Sequence, residues 1–185
     1  MDEYIDLVDS SGNSLGRKAL KSEAHRNGWY HNTIHLWLYS SKGEILLSQR
    51  SAEKLIFPLL WDVSAAGHVD AGETIIDAAV RETQEELGLV LTPTDLNFLG
   101  VFKHESFYHD GAIKDFEFHH AFITELKINT ADLKLQKGEV DAIKLVGQEE
   151  FLNLLDKSPG NSHFVPSNID YYKLILERVG FAVKN

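Results

Sequence analysis

Residues 67–89 read GHVDAGETIIDAAVRETQEELGL. From Thr74 to Leu87 the period is helical, because Ile76, Val80, Thr83 and Leu87 recur at i, i+4, i+7 and i+11 as one mostly apolar stripe. Thr74 with Asp77 three residues on resembles a capping box, and Gly88 is placed to stop the helix. Glu82, Glu85 and Glu86 stand at i, i+3 and i+4, so their carboxylates share one face, expected opposite the stripe. On most helices such a run is simply solvated. The alternative is a hard divalent cation. Magnesium and manganese take oxygen ligands, and a carboxylate cluster on one rigid face supplies them.

Working outward, Tyr4–Asp9 alternates like a half-buried strand and meets a turn at Ser10–Asn13. Residues 22–30 are short and polar, enough for one helical turn. Ile34–Tyr39 reads as a central strand, and Ile45–Arg50 follows the turn at Ser41–Glu44 as its hairpin partner. Trp61–Ala66 is a further strand ending at Gly67. Strands are expected again at Leu96–Lys103, Glu117–Leu126 and Ile143–Val146. Two helices close the chain. One covers Gln148–Leu155, and one starts near Asn168 with Tyr172, Ile175, Leu176 and Val179 inward and ends at Gly180. Strands with a few helices, not strictly alternating, argue a mixed-sheet α/β sandwich rather than a Rossmann or barrel domain.

Composition narrows the chemistry. The 185 residues are 43% hydrophobic and 25% charged, which suits one globular domain and excludes a disordered chain. Cysteine is absent, so no disulfide, zinc ribbon, thiol nucleophile or iron–sulfur cluster is available. The acidic start Met1–Asp6 is not expected to act as a signal peptide, and no apolar run approaches a membrane span. Together these point to a reducing, cytoplasmic setting with no membrane partner. The net charge of −10 repels nucleic acid. An anionic substrate must therefore be met locally, by a few basic side chains or by bound cations.

The opening segment fits G-x5-E-x7-R-E-x2-E-E-x-G through Gly67, Glu73, Arg81, Glu82, Glu85, Glu86 and Gly88. Chance would produce seven such positions in a chain of this length with odds on the order of one in a million. The segment resembles the box of the Nudix hydrolases. It departs once, at Thr83, where an aliphatic residue is usual. The resemblance implies a Nudix-type α/β/α sandwich with a mixed central sheet, an N-terminal strand extension (1–30), a core (31–156) and a C-terminal helical extension (157–185). It implies hydrolysis of a diphosphate by water attack on phosphorus, with Mg2+ or Mn2+ as cofactor. Glu82, Glu85 and Glu86 would be metal ligands, together with the Gly67 carbonyl. One of the glutamates, or a carboxylate from a downstream loop, would take the water proton. Glu73 and Arg81 would tie loop to helix. Arg50 and Lys54 are candidate phosphate contacts, ahead of Lys103 and His104. Aromatics in the stretches 53–60 and 104–114 (Phe57, Phe107, Tyr108) are placed to stack on a base. The family is often dimeric, so a homodimer is a further expectation.

A narrower likeness runs over residues 4–125. Asp9-x2-Gly12-x3-Gly16-Arg17, then His25 and His31, then Trp61–His68, are similar to the isopentenyl-diphosphate isomerase branch of the superfamily. That branch builds a second metal site from histidines and two acids spaced E-x-E. His25, His31, His68, Asp115 and Glu117 correspond, with Asp115 replacing a glutamate. Both acids fall on one side of a strand, and three imidazoles with two carboxylates suit a divalent transition metal. His35 reads as structural, and the adjacent His119 and His120 face opposite ways. The isomerase reaction is disfavoured, because the branch uses a cysteine where this chain has Ala66. A catalytically silent nucleotide-binding module would have lost a box glutamate, and none is lost.

Overall fold

The computed structural model describes residues 2–158, 165 and 169–184. The elements run β1 (Tyr4–Val8), β2 (Ser14–Leu20), α1 (Lys21–Asn27), β3 (His31–Tyr39), β4 (Ile45–Arg50), β5 (Trp61–Asp62), β6 (Ala65–His68), α2 (Ile75–Leu87), β7 (Asn97–Tyr108), β8 (Ile113–Glu125), β9 (Val140–Val146), α3 (Gln148–Lys157) and α4 (Ile169–Ala182). The strands form one mixed sheet with β3 at its centre. β8 runs parallel to β3 along its whole length, from His31↔Glu117 to Tyr39↔Glu125. On its other side β3 meets β1 at Leu7↔His31, then β6 antiparallel, then β4 at Tyr39↔Ile45.

Alternation along β3 builds two cores. Ile34, Leu36 and Leu38 face α2 and pack with Leu46, Ala65, Val69, Ala78, Ala79, Leu87 and Phe122. Trp37 and Tyr39 face the other way and pack with Phe151 of α3 and Tyr172, Ile175 and Val179 of α4. The layers are therefore helix, sheet, helix, as the sequence predicts.

The departures have local causes. β2 lacks an apolar alternation, since only Ala19 along it is buried, and pairing with β1 alone makes it a strand. β3 begins at His31, three residues earlier than expected. The stretch Trp61–Ala66 is two strands, and the second runs on through Gly67 to His68. Between them the chain transfers from β4 to β3, and Ser64 bridges the parting strands. Its Oγ accepts from Leu38 N at 2.8 Å and donates to Leu46 O at 2.6 Å. The strand expected to end at Lys103 runs on through His104 as β7, which continues to Tyr108. Within the 104–114 stretch the chain turns tightly between β7 and β8, where His109 and Asp110 take left-handed backbone angles.

α2 follows its predicted ends. Thr74 accepts from Asp77 N at 3.1 Å, and Gly88 stops the helix at φ 65°. Its buried face is rotated from the predicted stripe, however. Ile76 is 42% exposed, and Ala78, Ala79, Thr83, Glu86 and Leu87 face inward. Two alanines let the helix lie close to the sheet, which the longer Ile76 and Val80 would prevent. Thr83 is tolerated there because its hydroxyl donates to Ala79 O at 2.7 Å. α3 continues to Lys157, and Gly180 sits within α4 rather than ending it. Asn168 lies outside the described residues.

Candidate functional site

β6 has β3 on one edge only, so alternate backbone groups on its other edge are open. Antiparallel pairing alternates bonded and non-bonded residue pairs. Ala66 and His68 turn theirs outward: Ala66 N donates to Glu86 Oε2 at 3.2 Å, and His68 O accepts from Arg81 Nη2 at 2.9 Å. Gly67, opposite Ile34, turns its carbonyl toward β3. The carbonyl beside the glutamates is thus Ala66's, not the Gly67 carbonyl expected from sequence. What Gly67 contributes is room, because a Cβ there would fall onto the Glu82 carboxylate.

Arg81 organises the acids. Its Nε and Nη2 donate to Glu73 at 2.9 and 2.8 Å, in a two-pronged pairing. Its Nη1 reaches Glu82 Oε1 at 2.8 Å and Glu85 Oε2 at 3.2 Å. Glu73 also accepts from Asp70 N at 3.1 Å, which binds the 70–73 turn to the helix. Burial pushes Glu82 up to about 7 against the pull of Arg81. Burial, reinforced by the Glu82 charge, pushes Glu86 up to about 8. Glu85 stays exposed. A buried carboxylate pair with raised proton affinity is a donor set that a divalent cation satisfies.

A second cluster lies beside the first and shares His68. His25 of α1, His31 of β3, His68 of β6 and Glu117 of β8 bring ligand atoms within 4.8 Å of one another. The register places His31 opposite Glu117 and His68 opposite Thr33, so these side chains rise from one face. His31 Nδ1 donates to Trp29 O at 2.9 Å. Its Nε2 is buried without a hydrogen-bond partner, 3.4 Å from Glu117 Oε1. His25 Nε2 and His68 Nε2 are 3.1 Å apart, and His25 Nδ1 is a second buried atom without a partner. Imidazole nitrogens converging on a carboxylate oxygen are a donor set that suits a transition metal.

Burial drives His68 down to about 3 and also lowers His25, leaving the neutral, ligating form. Asp115, expected in this set, stands at its edge, 3.4 Å from His25 Nδ1 and 3.6 Å from His104 Nε2. Burial and the Glu117 charge push it up to about 9. Burial opposes the Glu117 charge too, yet hydrogen bonds from its histidine neighbours, His119 foremost, hold it well below the usual carboxylate range.

The pattern of the NUDIX domain family matches residues 29–167, which include both clusters apart from His25. This chain belongs to the Nudix hydrolase family. It is 35% identical to Nudix hydrolase 3 of Arabidopsis thaliana over 94% of its own length, and spans only 23% of that protein. It is 31% identical to an uncharacterized Nudix hydrolase of Clostridium acetobutylicum, covering 95% of this chain and 96% of that one. It is also 29% identical to an isopentenyl-diphosphate Delta-isomerase of Cutibacterium acnes, over 85% and 80% of the two chains. Among solved structures it superposes on DR0079 of Deinococcus radiodurans with TM-score 0.68 at 19% identity, covering 96% and 99%. That likeness concerns the fold alone.

Other expected Nudix contacts are placed less openly. Arg50 Nη1 pairs with Asp62 at 3.1 Å, and its Nε donates to Ile56 O at 3.0 Å. Lys54 pairs with Glu139. Both cations must exchange a partner to meet a phosphate. Phe57 packs edge-on against Tyr108, with ring centroids 5.2 Å apart. Phe107 is exposed and meets Phe116. His120 turns to Asn32 and His119 to Glu117, on opposite faces as predicted. The sequence reading missed Glu139, a loop acid whose charge acts on Glu86. A lone glutamate before β9 carries no local signal. Among the described residues no helix is long and apolar enough to cross a membrane.

Proposed function

We propose that this chain is a divalent-metal-dependent Nudix hydrolase of the isopentenyl-diphosphate isomerase-like branch. It cleaves the diphosphate linkage of a nucleoside diphosphate or related diphosphate ester by water attack on phosphorus. The observation that carries this reading is the placement of Glu82, Glu85 and Glu86 at the open edge of β6, held there by Arg81 and Glu73. Glu82, Glu85, Glu86 and the Ala66 carbonyl would hold Mg2+ or Mn2+. Bound cations neutralise charge on the diphosphate oxygens and acidify the attacking water. Arg81 holds the Glu82 and Glu85 carboxylates in direction. Glu86, anchored by Ala66 N–H, or Glu139 beside it, takes the proton from the water. Arg50 and Lys54, released from Asp62 and Glu139, would meet the outer phosphate oxygens.

The histidine cluster supports the isomerase-like branch and would hold a divalent transition metal through His25, His31, His68 and Glu117, with Asp115 at its edge. The isomerase activity itself is disfavoured, because Ala66 offers no thiol and the chain has no cysteine. The test is phosphate release from nucleoside diphosphates, nucleotide sugars, dinucleotides and isopentenyl diphosphate, with Mg2+ or Mn2+ and an EDTA control. Glu86→Gln run in parallel excludes contaminating phosphatases. Metal-dependent cleavage lost in the variant is the expected result. Nucleotide binding without any cleavage would point instead to a silent binding module.

A further inference from the structure

Glu117 gives its two carboxylate oxygens to different neighbours. Oε1 lies 3.4 Å from both His31 Nε2 and His68 Nε2. Oε2 is taken by the scaffold: His119 Nε2 approaches it at 2.9 Å and Thr33 Oγ1 donates to it at 3.2 Å. An ionised carboxylate only accepts, so the proton in the first contact belongs to His119 Nε2. His119 stands two residues beyond Glu117 on β8, so the two side chains rise from the same face.

The His119 ring is itself clamped from the strands on either side of β8. His35 of β3 lies over it with centroids 4.0 Å apart, and His104 of β7 stacks at 5.1 Å. His35 is in turn met by the Tyr171 hydroxyl of α4 at 3.1 Å, which also accepts from Trp37 Nε1 at 2.7 Å. A buried line of contacts thus runs from the C-terminal helix to one oxygen of Glu117. The terminal torsion of a glutamate is broad and nearly two-fold. Left alone, the carboxylate would turn freely. Held at Oε2, it keeps Oε1 toward the imidazoles.

We propose that His119 is a positioning residue for the histidine centre, its Nε2–H fixing the Glu117 carboxylate so that one oxygen stays turned to His25, His31 and His68. This rests on the reading above that the centre holds a divalent transition metal. Groups that orient a metal ligand in this way typically contribute 10–100-fold in affinity. His119 does this without touching the ion.

Two substitutions separate positioning from packing. His119→Phe keeps a ring between His35 and His104 and removes the donor. His119→Gln keeps an N–H the same number of bonds from the backbone and removes the ring. Co2+ affinity and absorption are measured on the full chain carrying Glu85→Gln and Glu86→Gln, so that the box acids do not compete. His119→Phe is expected to weaken Co2+ binding about 10–100-fold and to alter the ligand-field bands, with far less change in His119→Gln. Unchanged binding in His119→Phe overturns the proposal, and so does an equal or larger loss in His119→Gln. Circular dichroism checks the fold. Should His119→Phe not fold, His119→Met keeps a side chain of similar reach without a donor, and unchanged Co2+ affinity there also overturns the proposal. Failure of the underlying reading looks different: the reference chain and its Glu117→Gln variant would then bind Co2+ alike, or neither would bind.

Discussion

Arg81 Nη2 donates to the carbonyl of His68 at 2.9 Å, while the His68 ring points into the imidazole cluster with its Nε2 3.4 Å from Glu117. One residue of β6 therefore joins two candidate metal centres, its backbone in the glutamate cluster and its side chain among the histidines. The alternation of a β-strand makes this possible, since backbone groups lie in the sheet and side chains stand off it.

Glu73→Gln removes the charge from the two-pronged partner of a half-buried guanidinium. Arg81 then keeps Glu82 and Glu85 but loses its anchor on the 70–73 turn. We expect a loss of about 1–3 kcal/mol, seen as a fall of several degrees in Tm. An unchanged melting curve would refute the tether.

Gly67→Ala places a methyl group where the Glu82 carboxylate sits. The backbone angle at Gly67 is ordinary, so the effect is steric crowding rather than backbone strain. Glu82 must swing away, and Mg2+-dependent turnover should drop at least tenfold while the chain still folds. Wild-type turnover would show that Glu82 is not needed in that place.

Glu86→Gln and Glu85→Gln should each lower kcat by orders of magnitude without unfolding the chain. Glu139→Gln decides which acid takes the water proton. A kcat loss comparable with Glu86→Gln, with KM unchanged, would assign the proton to Glu139. A change in KM alone would assign Glu139 only the holding of Lys54.

Burial holds His35 well below the ordinary histidine range. Above the unfolded value, about 6.5, neither state binds this proton and His35 adds no pH dependence. As pH falls below about 6.5, the unfolded chain takes a proton that the folded chain refuses. Stability then falls by about 1.4 kcal/mol per pH unit from this group. His25 and His68 act in the same direction. The raised carboxyls of Glu82, Glu86 and Asp115 act in the opposite direction over this range, so the His35 contribution is read as a difference. In denaturant melts in EDTA between pH 7.5 and 5, the wild type should lose stability relative to His35→Gln with a slope of about one proton. An identical slope in the variant would contradict the assignment.

The 67–89 segment determined much by itself. Glycine, glutamate and arginine at set distances specified the helix, its ends and the acids on it, because helical spacing is a local property of the chain. The alternation in β3 likewise gave a central strand, with two cores following from it. What the sequence could not decide was how the helix rolls on the sheet. That depends on Ala78 and Ala79 meeting the sheet closely, and it turned Glu86 inward and Ile76 outward. Nor could it decide which backbone carbonyl faces the acids, since that rests on the pairing phase of β6 against β3. The family resemblance implied that His25, His31, His68 and Glu117 belong together, but their convergence comes from four separate elements, and His119 and Glu139 join these sites only through strand register and loop path. Such contacts are set by long-range packing, and no spacing along the chain encodes them.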